Sequence, residues 1–132
     1  MAYDNPKIEK LEDLLAWQKA RAIFLLTYKL TDDYPKSEEY NLKKHMRECS
    51  RNIPGNIAEG FGRYNFQECM QFYRIARGSL SELKSDYYCS FDLGILNQEQ
   101  FETAREKLEE LAKYINGLIR TTFTVKNKSS KK

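Results

Sequence analysis

At 132 residues the chain is the length of one domain, and 41% hydrophobic residues exclude a disordered polymer. Three cysteines (Cys49, Cys69, Cys89) with no CxxC pair argue against a disulfide framework, and a single histidine, His45, leaves no His-rich metal site within one chain. The absence of a secretory signal and of any apolar run long enough to span a bilayer predicts a cytoplasmic protein without a membrane partner.

The spacing of apolar residues predicts four helices. The first runs from about Glu12 to Leu30 and contains "AIFLL". Four successive apolar positions point around the whole helix, so more than one face should be covered, as at an oligomer interface. Pro35 bars continuation through "TDDYPKSEEYN". The second helix starts near Asn41. Its stripe of Leu42, Met46, Cys49, Ile53 and Ile57 passes straight through Pro54, and Gly60 and Gly62 should stop it in the left-handed conformation. The third helix opens with Asn65 and Glu68 at capping-box spacing. Phe66, Cys69, Tyr73, Ala76, Leu80, Leu83 and Tyr87 form its stripe, widened by Phe72, Ile75 and Phe91, and Gly94 ends it. The fourth repeats the capping spacing at Asn97 and Gln100, then carries Phe101, Ala104, Leu108, Leu111, Ile115, Leu118 and Thr122 at heptad steps. The fold expected is therefore all-α, an antiparallel up-down four-helix bundle over residues 1–125, followed by a basic disordered tail over 126–132. Tyr34, Tyr40 and Tyr64 fall at loops or helix ends, where they suit an interface or nucleic-acid stacking, the favoured reading being that they pack across the bundle ends with the hydroxyl in water.

The charge is uneven. Residues 43–77 hold seven Lys/Arg against three Asp/Glu, and the tail "KNKSSKK" holds four lysines and no acid, whereas the rest of the chain is net acidic. Lys43, Lys44, Arg47 and Arg51 recur at helical spacing, with Arg63 beyond them and Arg74 and Arg77 on the third helix. Such a surface suits a polyanion, RNA or DNA. The plain alternative is solvated charge. For Arg77, in the tight "ARGS", pairing with Glu59 or Glu82 is the favoured reading.

Catalysis finds little support. His45 lies among Lys44 and Arg47 with no orienting carboxylate nearby in the sequence. A di-iron bundle needs Glu-x-x-His on two helices, and "GNIAEGFG" lacks the Lys-Ser/Thr of a phosphate loop. No catalytic residue, metal or cofactor is expected.

"LLAWQKA", "NIPGNIAEGFGR" and "FYRIARGSLSEL", in this order, resemble the four-helix bundle protein family, also called 23S ribosomal RNA intervening-sequence proteins and formerly S23 ribosomal proteins. The resemblance spans Leu11 to Ile119. It implies a four-helix bundle assembled as a homopentameric ring, without enzymatic activity. A more distant similarity is to the accessory variability proteins of diversity-generating retroelements, which act with a reverse transcriptase and its RNA. That implies a structural or adaptor ring with such a protein partner as the alternative role. One departure is Asn52-Ile53-Pro54-Gly55-Asn56, where the family usually has Ser-Ile-Pro-Ala-Asn.

Pro54, Asn56, Glu59, Gly60 and Arg77 are the expected assembly residues. Pro54 has no N–H for the Ser50 carbonyl and its ring pushes against that oxygen, which predicts a kink of about 20° or more. Asn52 and Asn56 can satisfy freed backbone groups or bridge to the third helix, and Gly55 and Gly60 permit a close helix approach. Pro54→Ala is expected to keep the fold and disturb the oligomer. Size-exclusion chromatography with light scattering checks this, and an unchanged assembly refutes it.

Overall fold

Helix boundaries in this chain follow from the residues that cap them. The computed structural model describes residues 8–130, with side chains through Val125. Its helices are α1 (Leu15–Thr31), α2 (Leu42–Phe61), α3 (Phe66–Asp92) and α4 (Gln98–Ser130). The Asn65 carboxamide oxygen accepts the backbone N–H groups of Gln67 at 2.8 Å and Glu68 at 3.3 Å and so starts α3. A complete reciprocal box starts α4: Gln100 N–H donates to Asn97 Oδ1 at 2.8 Å, and Asn97 N–H donates to Gln100 Oε1 at 3.0 Å. Gly94 ends α3 with φ +73°. There the Ile95 N–H reaches back to the Ser90 carbonyl at 2.9 Å.

α2 ends differently from expectation. Gly62 is right-handed, with φ −78°. The last turn tightens instead, with Arg63 N–H donating to the Gly60 carbonyl three residues back. α4 continues to Ser130, five residues past the boundary expected at 125. Residues 131–132 and the side chains of 126–130 lie outside the described residues.

Each helix packs on its sequence neighbours, and α1 closes the ring on α4, giving a four-helix bundle with no strand among the described residues. The core is the union of the predicted stripes. Met46, Cys49, Ile53 and Ile57 of α2 are buried, as are Cys69, Tyr73, Ala76, Leu80, Leu83 and Tyr87 of α3. The α4 heptad series from Phe101 to Thr122 is buried throughout. Within "AIFLL", Ile23 is buried, Phe24 and Leu26 are half-buried and Leu25 is exposed. Tyr40 and Tyr64 are exposed, but Tyr34 is buried in the core cluster, where burial pushes its phenol pKa up. Among the described residues no helix is long and apolar enough to cross a membrane.

α2 runs through Pro54 without interruption. Ser50 turns its hydroxyl onto the Arg47 carbonyl at 2.9 Å, and the Asn56 amide donates to the Asn52 carbonyl at 2.7 Å. Asn56 thus serves its own helix rather than bridging to α3. The two glycines of this segment divide. A Cβ on Gly60 would meet the Tyr73 ring at 2.6 Å, and one on Gly55 would meet nothing within 4 Å. Close approach is therefore the business of Gly60 alone.

Gly60→Ala is expected to overpack the α2–α3 contact and lower stability by about 1–3 kcal/mol. Gly55→Ala should raise it by about 0.5–1 kcal/mol, because only helix propensity changes. Chemical denaturation of both variants checks the opposite signs. A second prediction concerns the buried hydrogen bond between the Thr27 and Tyr87 hydroxyls, 2.8 Å apart. Tyr87→Phe and Thr27→Val should each cost about 1–3 kcal/mol by orphaning the partner, and the double variant less than their sum. A double-mutant cycle measures the coupling.

Candidate nucleic-acid interface

The basic residues of α2 do not form one exposed row. Lys43 is largely covered, with 15% of its side chain exposed, and pairs with Glu39 at 3.0 Å. Arg47 turns to α1: Nε donates to Thr31 Oγ1 at 2.9 Å, Nη2 donates to the Tyr28 carbonyl at 3.2 Å, and the guanidinium lies 4.4 Å from the Tyr28 ring centroid. Asp32 stands 3.8 Å from the same group. A guanidinium with its donors so used is a brace between helices rather than a phosphate ligand. The expectation that Lys43 and Arg47 are exposed is thereby corrected. Lys44 and Arg51 are exposed, without an ion pair among the described residues, and stand seven residues apart on one side of α2.

Arg63 bonds Glu59 at 3.1 Å, four residues before it, and lies 5.0 Å from the Phe72 ring centroid. Glu59 is thus an arginine partner, but of Arg63. Arg77 is exposed and donates to Asn116 of α4 at 3.2 Å, which replaces the expected pairing with Glu59 or Glu82. Arg74 is exposed and lines an open groove of about 560 Å³ with Gln67, Met70, Gln71, Ile75 and Phe123. So the cations of α3 turn toward α4, and those of α2 turn toward α1 or solvent. The cations of the two helices do not meet at the α2–α3 seam.

That seam holds a cluster instead. Asp86 bonds the Nδ1 atom of His45. The Nε2 atom of the same ring lies 3.3 Å from Glu82 Oε2 and 3.6 Å from Cys49 Sγ, and Cys49 Sγ lies 3.5 Å from Glu82 Oε2. The hydrogen bond from Asp86 raises the His45 pKa, and burial, then Glu82, pushes the Cys49 thiol up to about 12. The carboxylate that orients His45, Asp86, lies 41 residues away in the sequence. The available signal is a pair of four-residue steps, His45 to Cys49 on α2 and Glu82 to Asp86 on α3, which place each pair on one helix face.

The bundle is similar to a solved structure from Bacteroides thetaiotaomicron VPI-5482, described as a protein with unknown function from the S23 ribosomal protein family. The TM-score is 0.72 at 17% identity, over 80% of this chain and 98% of that one. A search of curated proteins found no match. The family model described as 23S rRNA-intervening sequence protein matches residues 12–117. The chain belongs to the 23S rRNA-intervening sequence protein family.

Proposed function

We propose that the protein is a non-enzymatic RNA-binding bundle of the cytoplasm that works as a homopentameric ring, with Lys44 and Arg51 of α2 and Arg74 of α3 as its phosphate contacts. The observation that carries this reading is selective pairing. Lys43, Arg47 and Arg63 are engaged by neighbouring groups, while Lys44, Arg51 and Arg74 are exposed and outside any ion pair among the described residues. An exposed cation with no internal partner keeps its full capacity to displace counterions from a nucleic acid. Three such groups on one chain bind weakly. A ring repeats them around an axis, and affinity for a polyanion grows steeply with the number of phosphates met. The family name, which refers to ribosomal RNA, favours RNA over DNA.

An adaptor ring that holds a protein partner, such as a reverse transcriptase, is the second reading. The open groove between α3 and α4 favours it, since Met70, Ile75 and Phe123 there offer apolar contact. The two readings respond differently to salt. In a salt-titrated binding assay with structured RNA, the Lys44→Gln, Arg51→Gln, Arg74→Gln triple variant should bind more weakly. Its log–log salt slope should be shallower by about 2 per engaged protomer. Arg47→Gln should lower the melting temperature and leave that slope unchanged. RNA retention that is absent at low salt in the wild type, or unaltered in the triple variant, overturns the RNA reading.

A further inference from the structure

The seam cluster has the dimensions of a coordination shell. A tetrahedral zinc ion, with bonds of about 2.0–2.1 Å to nitrogen, 2.3 Å to sulfur and 2.0–2.2 Å to oxygen, fixes the edges between its ligands. Those edges are about 3.3 Å for nitrogen to oxygen, 3.6 Å for nitrogen to sulfur and 3.5 Å for sulfur to oxygen at the tetrahedral angle. The corresponding separations here are 3.3 Å from His45 Nε2 to Glu82 Oε2, 3.6 Å from Nε2 to Cys49 Sγ and 3.5 Å from Sγ to Oε2. Three donors of three different kinds lie at the edge lengths of one tetrahedral face, all within 4.8 Å of one another.

The surroundings supply what such a face needs. Asp86 holds the Nδ1 atom of His45, which leaves Nε2 as the nitrogen open to a ligand; Cys49 Sγ lies beside the ring, 3.6 Å from Nε2 and 3.9 Å from Nδ1, so the imidazole must turn to point Nε2 at a shared ion. A carboxylate behind a histidine in this manner orients the ring and raises its basicity as a ligand. Cys49 approaches from the buried side, while the side chains of His45 and Glu82 are 48% and 63% exposed. The fourth vertex therefore faces solvent, where water completes the shell. Without an ion, His45 pairs with both carboxylates and the Cys49 thiol donates to Glu82 Oε2 at 3.5 Å; with one, the thiol gives up that proton to bind as thiolate. The sulfur is what closes the triangle.

We infer that His45, Cys49 and Glu82 bind one divalent metal ion of the zinc type per chain, with Asp86 positioning the imidazole and water at the open vertex. Nitrogen, thiolate and carboxylate together suit zinc, and they disfavour magnesium and calcium, which demand oxygen shells. Bound there, the ion links the middle of α3 to the first half of α2. The inference stands apart from the RNA reading, since none of the four residues is among the proposed phosphate contacts.

The full-length protein, stripped with a chelator and titrated with zinc in a calorimeter, should bind one ion per chain. Cobalt in place of zinc gives the decisive spectrum: a near-ultraviolet band from thiolate-to-cobalt charge transfer, with the visible absorption of a four-coordinate ion. Cys49→Ser should abolish the near-ultraviolet band. Asp86→Asn should keep it and weaken metal affinity by about 10–100-fold. Glu82→Gln, at an exposed position, should fold normally by circular dichroism and also bind more weakly, which keeps the test valid if Cys49→Ser is unstable. No saturable binding, a charge-transfer band that survives Cys49→Ser, or full affinity in Glu82→Gln would overturn the assignment.

Discussion

The contact of Gly60 with the Tyr73 ring sets the spacing of α2 and α3, and much else in the bundle depends on it. A Cβ at Gly60 would also stand 3.1 Å from the Cys69 carbonyl, so both the ring and the backbone of α3 crowd that point. With the helices this close near the α2–α3 turn, their opposite parts run alongside in a fixed register. That register brings His45 level with Glu82 and Asp86, and sets Met46 against the Ser90 hydroxyl, 3.6 Å from its sulfur. A larger residue at 60 would act through the lever of the helix on all of these contacts. Small-residue approaches of this kind are bought with conformational entropy in the unfolded chain, which is why Gly55, with open space around it, is a cost without the same return.

A second consequence is how charge is distributed. Because the α2–α3 seam is tight and filled by His45, Cys49, Glu82 and Asp86, the arginines of the two helices cannot meet there. Arg47 is drawn toward α1 by the Tyr28 ring and carbonyl and by Thr31, whose own hydroxyl donates to the Thr27 carbonyl at 2.6 Å. One stem of contacts then runs from Arg47 through Thr31 and Thr27 to the buried Tyr87 phenol. This polar chain crosses the bundle from α2 through α1 to α3. Its members satisfy each other, which is the condition for keeping hydroxyls in an apolar core without penalty. The basic residue that looks most like a nucleic-acid contact by spacing is thus the outer end of an internal network.

The contrast tells what a sequence can carry. The α4 heptads, the Asn65 and Asn97 caps and the α2 stripe through Pro54 are local patterns, set by the 3.6-residue period and by backbone groups within three or four positions. They were legible, and the family match over residues 12–117 agrees with the motifs that suggested it. Side-chain partners across helices are not local. Arg77 meets Asn116, 39 residues away, and His45 meets Asp86, 41 away, and no periodicity of α2 or α3 alone announces either. Tyr34 was misplaced for a related reason. It follows a helix end, but its side chain is buried in the core cluster.

The same reasoning explains why counting histidines hides a cluster of metal-ligating side chains. A lone histidine excludes sites built from several imidazoles, but a mixed shell needs only one of each donor. What builds it is a pair of four-residue steps on antiparallel helices, one carrying His45 and Cys49, the other Glu82 and Asp86. Each step is common in helical proteins, so neither is informative alone. Their meaning arises when the register set at Gly60 lays one step against the other, and the separations then become those of a tetrahedral face. The register that denies α2 and α3 a shared basic patch is therefore also the one that assembles the donors. In this bundle the seam between α2 and α3 is filled by His45, Cys49, Glu82 and Asp86, and the cations without an ion pair among the described residues, Lys44, Arg51 and Arg74, stand on the outward faces.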